Sequence, residues 1–212
     1  IRLMKMNNVL RFIEDLETKC KEYGVKLVLY DMKFIENDGD KFGGWFDADN
    51  KELHCAFPDK IQTKYVELLV HESCHMDQWI ENTKYWTIER RNNSLTEVWK
   101  ILKGEKVNKL KYHLRNVQMM EAECEKMSIE KIKDYDLGIN IERYAMKANS
   151  YLLFYSVLVE TKKWTDYPPY KFKDIWRGLP DKILSNFEIS EDLKQLYFDK
   201  CYKKRTKKII FS

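Results

Sequence analysis

The spacing of apolar side chains predicts a helix, then a small set of strands, and then a series of helices. Apolar positions recur every three or four residues from 7 to about 23, which predicts a helix that Gly24 ends as a C-cap. Residues 25 to about 36 are rich in β-branched and aromatic side chains, which predicts a strand. Two short apolar segments flank the turn-forming residues 47–50, and this pattern predicts a β-hairpin.

Helical periodicity dominates the rest of the chain. An apolar stripe predicts a helix over residues 63 to about 81, and "SLTE" at 94–97 has the pattern of a capping box that starts another. Further helices are predicted over 109–134, 140–164 and 191–201. Three tryptophans are predicted to lie in the core: Trp79, Trp86 and Trp99. The order of elements predicts an α+β fold, in which an N-terminal helix and a small β-sheet precede a mainly helical C-terminal half.

The composition is typical of a globular protein. The 212 residues are 44% hydrophobic and 14% aromatic, so we expect one domain over 1–212, with 1–6 as a non-native or disordered extension. No apolar run reaches the roughly 18 residues that a membrane span needs, and the charged N-terminal segment is unlike a secretory signal. Five widely spaced cysteines without a CxxC pair are expected to be reduced thiols. These features together predict a cytoplasmic protein.

Charge is balanced over most of the chain and concentrated at its end. The net charge of +4 results from 38 basic and 34 acidic residues, which is typical of a mixed, solvated surface. Residues 203–212 form a basic tail that could bind nucleic acid by electrostatics, although a solvated terminus explains the same residues. No pattern in the sequence specifies an oligomeric state.

The segment "LLVHESCHMDQW", Leu68 to Trp79, has the pattern of a metal site. Residues four apart lie on one face of a helix, so His71 and His75 direct their imidazoles toward a common point. Glu72 follows the first histidine and can reach a metal-bound water, as in the HExxH pattern of zinc metalloproteases. Two buried histidines on an ordinary helix are the alternative, but the apolar lead-in to the motif favours the metal site.

The chain also offers a third metal ligand downstream. A catalytic zinc ion needs three protein ligands and leaves a fourth position for water. In the predicted helix 109–134, Glu121 falls about 40° from the centre of the apolar stripe, and a charge buried there is costly unless it binds a partner. Glu121 is therefore the predicted third ligand. Glu125, at the edge of the same face, is predicted to accept a hydrogen bond from a ligating histidine, whereas Glu123 and Glu130 lie on a solvated face.

Four other residues could supply the third ligand. His113 would complete a three-histidine site, although its neighbours resemble the exposed start of a helix. Glu97 is assigned to the capping box, and Glu89 lies beside two arginines, which favours a surface salt bridge. His54 is interpreted as a strand residue of the hairpin that precedes the metal helix. His113 remains the alternative to Glu121.

The motifs "HESCH" and "EAECEK" together resemble the zincin metallopeptidases, specifically the gluzincins. In gluzincins an acidic residue four positions after the glutamate ligand orients a histidine, and Glu121 with Glu125 matches that spacing. These motifs and "KANSYLLFY" are also similar to short metallopeptidases encoded by tailed phages, over about residues 26–155. SprT-like proteases, which act on DNA–protein crosslinks, are a weaker match because this chain lacks their histidine followed by glycine. The resemblance implies a minimal zincin-like fold, in the host cytoplasm if phage-encoded.

The resemblance implies a zinc-dependent peptidase that acts on a protein or peptide substrate. Zn²⁺ would activate a water molecule, with Glu72 as the general base. Residues 52–57 are expected to bind an extended peptide at an exposed strand edge. Tyr144 and Tyr151 are candidate oxyanion stabilisers, and aromatic core packing is the alternative for each. Two other functions stay open: a catalytically inactive zinc-binding interaction module, and a nucleic-acid-associated protease of the SprT-like type.

Overall fold

The structure, a computed structural model, describes residues 5–37 and 40–203 of the chain. Its strands are β1 (Lys26–Tyr30), β2 (Ile35–Asn37), β3 (Asp40–Phe42), β4 (Gly44–Asp47) and β5 (Glu52–Ala56). Its helices are α1 (Met6–Tyr23), α2 (Thr63–Glu81), α3 (Lys84–Asn92), α4 (Ser94–Leu102), α5 (Leu110–Asp134), α6 (Ile141–Thr161), α7 (Lys173–Trp176) and α8 (Glu191–Cys201), with a 3₁₀ turn at Pro169–Lys171. The predicted α+β class is confirmed.

A three-stranded sheet with the order β1-β5-β4 precedes helix α2, which contains His71 and His75. β1 runs parallel to β5, and β4 pairs antiparallel with β5, so the predicted hairpin is confirmed. The prediction of one strand over 25–36 is wrong, because the chain bends at 31–34 and β2 pairs with β3 in a separate hairpin. The prediction of an exposed edge at 52–57 is also wrong, since β5 is the central strand. The two edge strands of this sheet are β1 and β4, and β4 is the edge strand of the hairpin.

Helix α1 follows its sequence pattern closely. Its buried residues are spaced three or four apart: Val9, Phe12, Leu16 and Cys20. Gly24 ends the helix in the left-handed conformation, with φ of 66°. The helix begins at Met6, and the Lys5 ammonium pairs with Asp136. Lys5 and Met6, which fall within the expected extension 1–6, are therefore part of the described structure.

Two predicted features fall largely outside the described residues. The rest of the proposed N-terminal extension, residues 1–4, and most of the basic tail, residues 204–212, are not part of the described ranges. Within those ranges, none of the helices combines the length and hydropathy that a membrane span requires.

The junction between α3 and α4 differs from the predicted capping box. Ser94 lies inside α4, behind Asn93, which adopts the left-handed conformation with φ of 48° and separates the two helices. The first turn of α4 is instead capped by Glu89, whose Oε1 accepts the Leu95 backbone N–H at 2.9 Å. Glu89 is 5% exposed, so its assignment to a surface salt bridge is wrong. A carboxylate from the preceding helix thus satisfies one of the orphan N–H groups at the start of α4.

Two apolar clusters lie on either side of the long helix α5. The first joins the sheet, α1 and α2, and its buried members include Leu53, Val66 and Leu69. The second joins α4, α6 and α8, and its buried members include Val98 and Phe154. Because α5 contributes apolar residues to both clusters, it fixes α2 and α6 on its two sides.

The tryptophans divide between the core and the surface. Trp86 is buried, and Trp79 is partly buried against the first cluster, so both core predictions are confirmed. The core prediction for Trp99 is wrong, because this side chain is 40% exposed. It stacks on Trp164, which follows α6, with ring centroids 6.3 Å apart.

A buried ion pair fixes α2 against α5 near the predicted ligands. The Lys131 ammonium donates to Asp77 Oδ2 at 2.6 Å and to Ser73 Oγ at 2.8 Å. Asp77 lies two residues beyond His75, and its Oδ1 is 2.8 Å from the ammonium of Lys19 on α1. Three helices therefore meet at one carboxylate.

Lys131→Ala is expected to lower the free energy of unfolding by about 3 kcal/mol, because it removes the main ion-pair partner of the buried Asp77 carboxylate. Lys19→Ala removes a more exposed partner of the same carboxylate and should cost less than about 1 kcal/mol. Urea unfolding of the two variants measures both effects. Equal losses in the two variants would contradict the assignment of Lys131 as the main partner.

Candidate metal centre

The two motif histidines and Glu121 converge where α2 crosses α5. His71 Nε2 is 3.5 Å and His75 Nε2 is 3.6 Å from the same atom, Glu121 Oε2. The side chains of these residues are at most 18% exposed. Three potential ligand atoms therefore lie close together. Two come from histidines four residues apart on α2, and the third comes from Glu121 on the apolar stripe of α5.

The distances from Glu121 Oε2 to the two imidazole nitrogens, 3.5 Å and 3.6 Å, are close to those between ligands of a tetrahedral zinc ion. Nitrogen and oxygen ligands at zinc bond lengths lie about 3.3 Å from one another across a tetrahedron. Glu121 Oε2 is also a buried atom with no hydrogen-bond partner in the described structure. A buried carboxylate oxygen without a partner is costly, and a cation between it and the two imidazoles would remove that cost. His71, His75 and Glu121 therefore fit a zinc ligand set.

His75 is oriented by a residue of its own helix. Its Nδ1 is 2.9 Å from Gln78 Oε1, and the Gln78 amide nitrogen donates to the Met120 carbonyl at 3.0 Å and to Glu123 Oε2 at 2.9 Å. Because both donors of the amide are used in this way, its oxygen must accept from His75 Nδ1–H. The Nε2 lone pair of His75 is then directed to Glu121. The prediction that Glu123 is a solvated residue is wrong.

His71 is oriented by a charged residue of the neighbouring helix. Its Nδ1 is 3.3 Å from Glu125 Oε1, as the sequence predicted. The hydroxyl of Tyr144 on α6 donates to Glu125 Oε2 at 2.6 Å. Tyr144, predicted as an oxyanion stabiliser, thus hydrogen-bonds to the carboxylate behind a histidine.

Electrostatics favour ionised groups at the centre despite its burial. Burial alone would lower the pKa of His71, but the charges of Glu125, Glu72 and Glu121 raise it well above the usual value. Burial would likewise lower the pKa of His75, and the carboxylate of Glu121 raises it. Burial would raise the pKa of Glu121, which the two histidines lower. The carboxylates therefore attract positive charge to this position, whether protons or a metal ion.

Glu72 lies in the narrow space between α2 and the sheet. It is 8% exposed, and burial raises the pKa of its carboxyl group, which the two neighbouring histidines oppose. A side-chain carbon on Gly44 of strand β4 would lie 3.0 Å from Glu72 Cγ. The absence of a side chain at Gly44 thus leaves room for Glu72 beside the edge strand.

Cys124 is a rival ligand that the sequence interpretation missed. His71, His75 and Cys124 form a group whose ligand atoms all lie within 4.8 Å of one another. The sulfur, however, is 3.7 Å from His71 Nδ1 and 3.3 Å from the His71 carbonyl oxygen. It therefore lies on the Nδ1 side of the His71 ring, whereas the Nε2 atom of that ring is the one near Glu121. Burial raises the pKa of the Cys124 thiol. In the sequence, Cys124 has the spacing of an apolar residue in the stripe of the predicted helix 109–134, and this spacing gives no signal of a ligand.

The remaining candidates have partners elsewhere. His113 lies at the start of α5, with Nδ1 3.2 Å from Ser94 Oγ. Glu97 accepts from Lys100 at 2.6 Å, outside the predicted capping box. His54 is a strand residue as predicted, with its ring nitrogens 2.9 Å from the Tyr30 hydroxyl and 3.0 Å from a Glu52 oxygen.

Tyr151 differs from Tyr144 in lacking a carboxylate partner among its described contacts. Its hydroxyl is 3.4 Å from the Tyr155 hydroxyl. Burial, together with the negative charges of Glu121 and Glu72, raises the pKa of its phenol. Tyr151 is therefore within electrostatic range of the centre.

Comparison of the chain with protein-family models, curated proteins and solved structures finds no match. The chemical interpretation of the centre therefore depends on its side-chain geometry and on its sequence motifs.

Glu121→Ala is expected to weaken zinc binding by more than about 100-fold, because it removes a predicted ligand from the centre. Cys124→Ala is the matched control and should bind zinc within a few-fold of wild type. Competition with a chromophoric chelator measures both affinities. A large loss in Cys124→Ala together with a small loss in Glu121→Ala would assign the third ligand to the cysteine.

Glu125→Gln is expected to remove a stabilising contribution from the metal-free protein that is greatest at low pH. The folded-state pKa of His71 is raised, so its interaction with Glu125 is fully present below about pH 6.5 and is lost as pH rises through the folded-state pKa. The difference in unfolding free energy between wild type and Glu125→Gln should therefore be larger at pH 6 than at pH 10. Urea unfolding in excess chelator measures this difference, and a constant difference would contradict the assignment.

Proposed function

We propose that the chain is a zinc-dependent peptidase in which His71, His75 and Glu121 hold the metal and Glu72 is the general base. The observation that carries the proposal is the convergence of two imidazole nitrogens on one unpartnered carboxylate oxygen at ligand spacing. A bound zinc ion would supply an acidified water molecule and polarise the scissile carbonyl.

Glu72 is suited to the proton transfer. It follows a ligand directly on α2, and its pKa is raised by burial, which brings a carboxylate closer to the range useful for a base at neutral pH. In this proposal it accepts a proton from the attacking water and returns it to the leaving amine. The close approach of Gly44 limits the positions that the Glu72 side chain can adopt.

The substrate would lie along β4 and not along β5. β4 is the last strand on its side of the described sheet, and its Gly44 lies against Glu72. An extended peptide that pairs with this edge would gain main-chain hydrogen bonds while its scissile bond lies near the base. In this proposal the β4–β5 hairpin still binds the substrate, but through β4 instead of β5.

The two tyrosines would then have different roles. Tyr144 would fix Glu125, and through it His71, because its hydroxyl already donates to that carboxylate. Tyr151 has its hydroxyl near the charges of Glu121 and Glu72 and remains the candidate to stabilise a developing oxyanion.

The pairing of Glu121 with Glu125 favours a gluzincin-like enzyme over the SprT-like alternative. His113, the residue that would give three histidines, lies beside Ser94. We also propose a reducing compartment such as the cytoplasm, since all five cysteines are free thiols. The nucleic-acid alternative depends on the basic tail, most of which lies outside the described residues.

Glu72→Gln is expected to keep zinc affinity and stability near wild type and to lower peptidase activity at least about 100-fold, because it removes the base without removing a ligand. The matched control is Glu81→Gln, the same change at the exposed end of α2. Zinc content and cleavage of an unfolded protein substrate are the measurements. Full activity in Glu72→Gln would exclude this base, and no cleavage by zinc-loaded wild type would support the inactive binding module.

A further inference from the structure

Two half-exposed tryptophans form a stacked pair on the surface. Trp99 of α4 is 40% exposed and Trp164, after α6, is 42% exposed. Their ring centroids are 6.3 Å apart and their planes differ by 12°. Side chains of this size are usually buried more fully, so a stacked exposed pair suggests a surface that contacts another molecule.

The pair is held rigidly by aromatic residues of α6. The Trp164 ring lies 5.0 Å from Phe154, 6.2 Å from Tyr151 and 6.4 Å from Tyr155, measured between centroids. Phe154 and Tyr155 are buried in the second apolar cluster. A surface fixed by buried rings loses little conformational entropy when a ligand binds.

The pair is continuous with the candidate metal centre. Tyr144 donates to Glu125, and Tyr151 lies seven residues, or about two helical turns, farther along the same face of α6. The neighbouring Leu152 carbonyl accepts from Gln118, three residues before Glu121. Tyr151 is therefore level with the ligand segment of α5. From there, Tyr151, Trp164 and Trp99 form a series of neighbouring rings, which we name the aromatic strip.

We propose that the aromatic strip is a subsite for an aromatic or large aliphatic side chain of the peptide substrate. This inference rests on the proposed peptidase function and names the substrate class for the same site. The centroid steps along the strip are 6.2 Å and 6.3 Å. An extended peptide rises about 3.3 Å per residue, so each step between rings corresponds to about two residues of an extended peptide.

The chemistry of the strip favours an apolar side chain as its occupant. Indole rings contribute large apolar contact area, and an added ring can stack against them or meet them edge to face. The inner end of the strip lies near the negative charges of Glu121 and Glu72, which disfavours the phosphates of a nucleic acid. A peptide that pairs with β4 has no phosphate groups and avoids this electrostatic repulsion.

The test compares zinc-loaded wild type with Trp99→Ala on a library of proteome-derived peptides, with cleavage sites read by mass spectrometry. Wild type should prefer Phe, Tyr, Trp or Leu at one fixed position relative to the cleaved bond, by about tenfold in kcat/KM. Trp99→Ala should lose this preference and retain zinc and the rate on peptides without such a residue. The control is Tyr112→Ala, which removes an exposed ring outside the strip.

Failure of the inference is distinguishable from failure of the proposed function. An unchanged preference in Trp99→Ala would overturn the subsite and leave the peptidase intact. If wild type cleaves nothing, the peptidase fails, and the strip is then tested by tryptophan fluorescence with paired Phe and Ala peptides on zinc-loaded Glu72→Gln. Tighter binding of the Phe peptide that is lost on adding Trp99→Ala supports the subsite, and equal binding overturns it. Binding of oligothymidylate that requires Trp99 would also overturn it, in favour of a nucleic-acid surface.

Discussion

The structure depends on the burial of several carboxylates between α2 and its neighbours. Glu72, Glu121 and Glu125 are each at most 9% exposed, and Asp77 is 5% exposed. Each would be costly in a dry contact without compensation. Lys131 compensates Asp77 on one side, and the two imidazoles meet Glu121 and Glu125 on the other. The relative position of α2 and α5 is therefore set by charge pairing as much as by the apolar clusters.

The two histidines are supported by different kinds of partner. His71 is backed by a carboxylate and His75 by the neutral amide of Gln78. The centre already has three buried carboxyl groups, on Glu72, Glu121 and Glu125. A carboxylate in place of Gln78 would add a further negative charge and would remove the donor to the Met120 carbonyl. The amide thus orients His75 and connects it to α5 without adding to this charge.

The sequence predicts those parts of the centre that follow from helical periodicity. His71 and His75 share a face because they are four residues apart, and Glu121 with Glu125 lies on the buried side of α5 for the same reason. Contacts between distant segments have no such local signal. The parallel pairing of β1 with β5 and the bond from Gln78 to Glu123 depend on how whole elements dock. Gln78 had a partial signal, since a residue three positions after His75 shares its face.

The position of the edge strand connects the sheet to the chemistry of the centre. Since β5 is central, the edge of the described sheet beside α2 is β4, whose backbone approaches α2 at Gly44. A side chain at that position would meet both the His54 carbonyl and Glu72. The same glycine therefore permits both the pairing of β4 with β5 and the proximity of Glu72, the proposed base, to the edge strand. One structural constraint thus sets both the register of the sheet and the position of Glu72.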